Sequence, residues 1–258
     1  MVVLTIASQY VVPGFWPASR LVYGSFLGVV GLVYGVPVVV LAVLLGSGPL
    51  RHWRTNLRGA AVEGLGWYGA MSLLAALVIV TLETVYAVVD PGALRLLERP
   101  NPALQAAAGD PWLYVGLSFV IGAFEETIFR GWIFGYWSGR SRSWFLPAIL
   151  SSALFAGVHV YYGVTYGVAS PVPYSAVFLD GFAFAATYRG SGGNLVVPAA
   201  LHGATDATAF LTLISVNLGF GLHWLLVLLG AVLGLVFYAR LSSSTAAPRP
   251  AWPAPSGP

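Results

Sequence analysis

The stretch "LYVGLSFVIGAFEETIFRGWIFGYW", residues 113–137, decides the fold class of this chain. Apart from Glu125, Glu126 and Arg130, its side chains are apolar or weakly polar, and about 20 such residues in an α-helix cross a bilayer. We therefore predict a transmembrane helix that carries three ionisable groups inside the membrane. Because ionised side chains are costly in lipid and usually mark a functional site, these three residues need an explanation.

The composition of the whole chain also indicates a membrane protein. Its 258 residues are 58% hydrophobic and only 8% charged, with a mean hydropathy of +0.81, whereas soluble domains carry about 25% charged residues. The modest net charge of +3 predicts no nucleic-acid partner. The chain has no cysteine, which excludes disulfides, thiol nucleophiles and cysteine metal sites.

Apolar segments of membrane-spanning length predict an all-α, polytopic transmembrane helical bundle. The predicted spans cover residues 21–45, 65–88, 112–138, 144–160, 173–188, 195–214 and 222–241. Residues 1–20 are predicted to be an interfacial or partly inserted N-terminal segment, and residues 1–16 would add an eighth span if they crossed. Residues 242–258 are predicted to be a disordered Pro/Ala/Ser-rich tail. Residues 21–241 would then form one membrane domain.

The distribution of arginine predicts how the bundle lies in the plasma membrane. Cytoplasmic loops of membrane proteins carry an excess of basic residues. With seven spans, one side of the membrane has eight arginines, namely Arg51, Arg54, Arg58, Arg140, Arg142, Arg189, Arg240 and Arg249. The other side has Arg20, Arg95 and Arg99. We therefore expect the N-terminus outside and the C-terminus in the cytoplasm.

Glycines recur at helical spacing in the first and last predicted spans. They are Gly24, Gly28, Gly31 and Gly35 in the first, and Gly230 and Gly234 in the last. Stripes of small residues let another helix approach closely. We expect them to pack helices together within one chain, and a homodimer interface is the alternative.

Three of the predicted spans carry ionisable residues well inside the bilayer. Residues four apart lie on one helix face, so Arg130 can neutralise Glu126 on the third span. Glu125 is rotated by about 100° around the helix axis from Glu126, and the spacing gives it no cation on its own helix. Such a carboxyl can accept and release a proton, as a general base does.

The fourth and sixth spans repeat the four-residue spacing. Phe155 and His159 share a face of the fourth span, and His202 and Asp206 share a face of the sixth. At about 1.5 Å per residue, the polar groups of the three spans lie within about two turns of one another, so we expect one cavity. A polar network that only fastens the helices is the alternative, but such bonds are too weak in membranes to account for the whole set.

Three short motifs resemble those of the CAAX prenyl endopeptidase and bacteriocin-processing family of intramembrane proteases, abbreviated CPBP. "EETIFR" at 125–130 matches the EExxxR motif, "FAGVH" at 155–159 matches FxxxH, and "HGATD" at 202–206 matches HxxxN or HxxxD. The motifs stand in the family's order within residues 112–210. The resemblance implies that residues 21–241 form an intramembrane protease domain with this motif-bearing core.

The resemblance also implies a role for each residue of the first two motifs, in a peptidase that uses a glutamate and no metal. Glu125 would be the general base that activates a water molecule, and His159 would help to hold that water. Glu126 would support the site through Arg130. Phe155, the first residue of the second motif, is predicted to be a supporting residue of the site.

The third motif departs from the pattern of the best-known eukaryotic members. For the third motif, the resemblance implies that His202 and residue 206 stabilise the oxyanion. The best-known eukaryotic members have asparagine at the position of residue 206. This chain has Asp206. Because an ionised aspartate repels an oxyanion, either Asp206 is protonated or it orients His202, which is then the main donor.

The residue types fit peptide hydrolysis without the resemblance. Hydrolysis needs an activated water and a stabilised oxyanion, and the sequence contains no HExxH zinc helix. Two glutamates and two histidines could instead bind zinc. The cation of Arg130 beside Glu126 argues against a divalent ion, so we expect no metal cofactor. Asp180, a lone acid in the fifth span, is interpreted as a structural hydrogen-bonding residue.

A peptidase of this kind would cleave a peptide or the C-terminal segment of a membrane-associated, lipid-anchored protein. Nothing in the residues requires that substrate to be prenylated. The rival hypothesis is a proton-coupled membrane transporter, because buried Glu, His and Asp side chains also form proton relays. Transporters often show internal repeats with broken helices, and this sequence shows no such repeat.

Overall fold

The computed structural model describes residues 35–54, 60–99, 101, 104 and 107–243, and the regular elements in these residues are helices. The helices before the first motif are α1 (Val36–Leu45), α2 (Ala60–Val89) and α3 (Pro91–Leu97). The motif region holds α4 (Pro111–Glu126), a π-helical segment (Thr127–Phe134), α5 (Gly135–Ser138), α6 (Phe145–Val158) and α7 (Tyr161–Tyr166). The remaining helices are α8 (Pro171–Gly190), α9 (Val196–Leu211) and α10 (Val216–Ser243).

The all-α prediction is confirmed, whereas the count of seven or eight spans is not. By length and composition, three helical stretches of the described residues could cross a membrane, namely Gly64–Val89, Pro111–Ser138 and Val216–Val236. Phe145–Val158 and Tyr161–Ala169, which are bent by 58°, add a fourth if they form one span. The apolar helices agree with a membrane protein.

The predicted fifth and sixth spans are helices, but they lack the length or apolarity of a lipid-exposed span. Every residue of α8 from 181 to 188 is buried. Helix α9 has 16 residues, which is about 24 Å, and the hydrocarbon core is about 30 Å thick. Because protein covers much of both helices, they tolerate polar side chains, and hydropathy alone does not establish them as spans.

Several predictions fall on residues that the structure does not describe. They are the N-terminal segment 1–20, residues 21–34 of the first span, and the tail from residue 244 onward. Helix α10 continues to Ser243 and so includes the first two residues of the predicted tail.

Helix α8 lies at the centre of the described bundle. It packs against α2 on one side and α6 on the other, while α4 packs against α9 and α2 against α10. The π-helical segment contacts α6 and α8. This arrangement brings together the three helices that carry the motifs.

The glycines of the last span pack against α2 of the same chain. Gly230 meets Gly69 and Leu65, and Gly234 meets Gly66. A Cβ atom at Gly66 would lie 2.5 Å from the Cα atom of Gly234. Packing within one chain is therefore confirmed for Gly230 and Gly234. A Cβ atom at Gly35 would meet no described residue within 4 Å, and Gly24, Gly28 and Gly31 lie outside the described residues.

We predict that Gly66→Ala destabilises the protein by about 1–3 kcal/mol, because the added methyl group meets backbone that cannot move independently. The thermal unfolding midpoint in detergent measures this effect. Gly116→Ala on α4 is the matched control, since a Cβ atom there would have no atom of the described residues within 4 Å. Equal midpoints for the two variants would contradict the close crossing of α2 and α10.

The chain departs from α-helical geometry at two of the three motifs. The π-helical segment begins at Thr127, directly after Glu126, and includes Arg130. Helix α6 ends at Val158, and His159 follows as its C-cap with φ −84° and ψ 41°. π-Helical geometry inside an α-helix is frequently found at functional sites. His159 thus lies at the bend of a broken helix rather than inside one.

Candidate active site

Two glycines bring α4 and α9 close enough for their polar residues to meet. A Cβ atom at Gly122 would lie 3.0 Å from the backbone nitrogen of Gly203 and 3.2 Å from the carbonyl oxygen of Ala199. A Cβ atom at Gly203 would lie 2.6 Å from the ring of Phe119. Because Gly122 is about one turn before the paired glutamates, this contact places their carboxyl groups against His202.

The centre of the site is a buried chain of three charged or polar groups. Oε1 of Glu126 lies 2.9 Å from Nη1 of Arg130 and 2.9 Å from Nδ1 of His202. Glu126 and Arg130 are fully buried, and His202 is 4% exposed. Since a carboxylate paired with arginine accepts hydrogen bonds, we assign a hydrogen atom to Nδ1 of His202. The predicted pairing of Glu126 with Arg130 is present, and the bond from Glu126 to His202 is additional.

Arg130 is enclosed by acceptors and aromatic rings. Its Nη2 donates to the carbonyl oxygen of Gly181 at 2.7 Å. Its guanidinium carbon lies 4.6 Å from the ring centroid of Phe155 and 5.4 Å from that of Phe184. A buried cation needs partners of this kind to offset its lost hydration. Arg130 thereby joins the π-helical segment to α6 and α8.

The other nitrogen of His202 faces two further carboxylates. Nε2 lies 3.6 Å from Oε2 of Glu125 and 3.5 Å from Oδ2 of Asp206. These separations are within the range of an ion pair and longer than a good hydrogen bond. The side chain of Glu125 is 8% exposed and that of Asp206 is 40% exposed. Asp206 therefore marks the open side of the cluster.

His159 enters this neighbourhood through Phe155. The Nδ1 atom of His159 lies 2.8 Å from the carbonyl oxygen of Phe155, so Nδ1 is the donor and Nε2 is free to accept. The ring of Phe155 contacts His159 edge-on with centroids 5.0 Å apart, and it contacts His202 edge-on at 5.5 Å. Phe155 therefore touches both imidazoles. The meeting of Glu125 and His159 around one water stays a prediction.

Two contacts of the site were not predicted from the sequence. They are the carbonyl of Gly181, which binds Arg130, and Phe184, whose ring stacks on His202. A phenylalanine in an apolar helix carries no sequence signal that separates it from its neighbours. Asp180, directly before Gly181, lies within electrostatic range of His202 and Arg130, and its structural interpretation stays a prediction.

The choice between a metal-free site and a zinc site stays a prediction. Nowhere among the described residues do three or more His, Asp or Glu side chains form an arrangement that could hold a metal ion.

An open apolar groove of about 390 Å³ lies beside the motif of α6. Residues of α2, α6 and α8 line it, among them Val78, Ala156 and Phe178. Ala156 follows Phe155 directly in α6, and the residues that line the groove do not include the side chains around His202. Such a groove can hold an apolar chain or side chain.

Residues 107–208 match the family model described as "Type II CAAX prenyl endopeptidase Rce1-like". Comparisons with curated proteins and with solved structures gave no match. The matched residues contain all three motifs and every side chain of the cluster around His202. The Rce1-like family is a protease family, and the match together with the apolar helices supports a membrane endopeptidase at the level of the family. Residues 107–208 of this chain are thus similar to the Rce1-like type II CAAX prenyl endopeptidases, in agreement with the resemblance that the three motifs carry.

Proposed function

We propose that the protein is an intramembrane endopeptidase in which Glu125 activates the attacking water. One observation carries this proposal: a single buried imidazole, His202, bonds Glu126 at 2.9 Å while its other nitrogen lies 3.6 Å from Glu125. The site thus offers a potential base and a hydrogen-bond donor side by side, as hydrolysis of an amide requires.

In the proposed reaction, Glu125 accepts a proton as the water oxygen bonds to the scissile carbonyl carbon. The carbonyl oxygen becomes an oxyanion, and Nε2–H of His202 donates to it. The tetrahedral intermediate then breaks its carbon–nitrogen bond, and the proton held by Glu125 passes to the leaving amine. No atom other than those of the substrate, one water and these side chains is needed.

The remaining residues of the motifs orient these two groups. Glu126 accepts from Nδ1 of His202, so Nε2 donates only when His202 is doubly protonated, and the carboxylates around it complement that positive charge. Nε2 of His159 can accept the second hydrogen of the water. Asp206, 3.5 Å from Nε2 of His202, would orient the ring or hold a proton at the open side.

We propose a peptide, or the C-terminal segment of a membrane-associated or lipid-anchored protein, as the substrate. The apolar groove next to Ala156 suits an apolar portion of that substrate. We place the protein in the plasma membrane with the N-terminus outside and the C-terminus in the cytoplasm, and we propose that the cavity opens toward the cytoplasm.

Incubation of the purified protein with paired C-terminal peptides, one lipidated and one not, tests the proposal. We expect mass spectrometry to detect two products that together contain one added water, and we expect a chelator to leave the rate unchanged. Loss of activity on chelation, restored by zinc, would favour the metal alternative. Proton-coupled uptake into proteoliposomes without peptide cleavage would favour a transporter instead.

A further inference from the structure

Two buried aromatic rings, from helices that carry none of the three motifs, stack in series on the imidazole of His202. Phe184 on α8 is nearly parallel to His202, with centroids 4.8 Å apart and planes inclined by 15°. Tyr68 on α2 is nearly parallel to Phe184, at 6.3 Å and 9°. We propose that Phe184, supported by Tyr68, is a positioning residue that fixes the ring plane of His202. This inference rests on the proposed function.

The stack supplies a restraint that the hydrogen bond to Glu126 cannot supply. That bond holds only Nδ1, so the ring could still turn and carry Nε2 away from Glu125. Phe184 covers a face of the imidazole, and the ring of Phe155 stands at 86° to it. Together the two rings restrict rotation, and Nε2 stays directed toward Glu125 and Asp206.

Tyr68 connects the stack to the helix turn that carries His202. The Tyr68 hydroxyl and Oγ1 of Thr205 lie 2.6 Å apart. Thr205 donates its own hydrogen to the carbonyl oxygen of Leu201 at 2.8 Å, so Tyr68 is the donor. Tyr68 therefore contacts both the ring of Phe184 and the side chain of Thr205, which lies between His202 and Asp206 in α9. Tyr68 is fully buried and Phe184 is 1% exposed.

Phe184→Leu, compared with Phe182→Leu, tests the positioning role. Phe182 is buried on the same helix but packs against Trp144 and Phe145, with ring centroids 5.7 and 5.4 Å away. We expect similar losses of thermal stability in both variants. We expect kcat to fall about tenfold in Phe184→Leu with KM little changed, because misplaced catalytic groups lower kcat, and to stay near the wild-type value in Phe182→Leu. Equal values of kcat in the two variants would overturn the proposal.

A spectroscopic readout separates this inference from the proposed function. The chain has four histidines, so selectively labelled histidine gives few ring signals, and His202→Gln identifies that of His202. A ring stacked face-on shifts the His202 ring protons upfield, and we expect Phe184→Leu, but not Phe182→Leu, to remove the shift. Unshifted His202 protons in the wild-type protein would overturn the stack, even if Phe184→Leu did not fold. This result does not depend on peptide cleavage.

Discussion

Glu125→Gln is expected to abolish peptide cleavage and to leave the fold intact. Glutamine cannot accept a proton from water, and general-base catalysis contributes about 10²–10⁴-fold to such reactions. We therefore expect the cleavage rate to fall by about a thousandfold. The amide has nearly the same size as the carboxyl group and can still face Nε2 of His202, so the melting temperature should change little. Initial rates by mass spectrometry and unfolding in detergent measure the two quantities.

The matched control is Glu83→Gln, which changes an exposed acid on α2 in the same way. We expect this variant to cleave at the wild-type rate. A folded Glu125→Gln variant that also cleaved at that rate would exclude Glu125 as the base.

Arg130→Met is expected to destabilise the protein strongly, because it leaves the buried carboxylate of Glu126 without its cation. Breaking a buried ion pair by removing one partner typically costs about 3–5 kcal/mol. The variant also loses the bond from Nη2 to the carbonyl oxygen of Gly181, which is 2.7 Å long. The unfolding midpoint in detergent, together with the yield of folded protein, measures this loss.

Two further variants show whether the lost stability comes from the charge of Glu126. Arg140→Met removes an exposed arginine whose guanidinium lies 3.6 Å from the ring centroid of Tyr136, and it should change stability little. Glu126→Gln combined with Arg130→Met removes both charges, so it should be more stable than Arg130→Met alone. An Arg130→Met variant that melts like the wild-type protein would refute the assigned ion pair.

Helical spacing was sufficient to predict contacts within one helix. The four-residue spacing correctly paired Glu126 with Arg130, and the same spacing placed Asp206 next to His202. Matched depths in the bilayer also predicted that polar groups of the three helices would lie near one another, and Glu125 and Glu126 do lie next to His202. These inferences succeed because the geometry of a helix is fixed whatever surrounds it.

Contacts between helices were much less predictable. The bond from Glu126 to His202 depends on how closely Gly122 lets α4 approach α9, and no spacing within either helix encodes that distance. The stacking of Phe184 on His202 depends on the central position of α8. Such contacts follow from the packing of the whole bundle.

The number of spans could not be derived from hydropathy for a related reason. Helix α8 contains Asp180 and has a continuous buried run, so its side chains match protein neighbours as well as lipid. Helix α6 ends at Val158, and the chain bends by 58° before it continues. An average of hydropathy registers neither the buried run of α8 nor the bend after α6, so it does not give the number of spans. The apolar residues that flank the first motif were nevertheless sufficient to predict a helical membrane protein.

The central claim is that Glu125 and His159 act on the same water, and a double-mutant cycle tests it most directly. The measurement is kcat for a cleaved reporter peptide with the wild-type protein, Glu125→Gln, His159→Gln and the double variant. Groups that act as a unit give strongly non-additive effects. We expect the double variant to cleave no more slowly than the slower single variant. The claim would be contradicted if the fold reductions in kcat of the two single variants multiplied in the double variant. Full cleavage by the double variant would also contradict it.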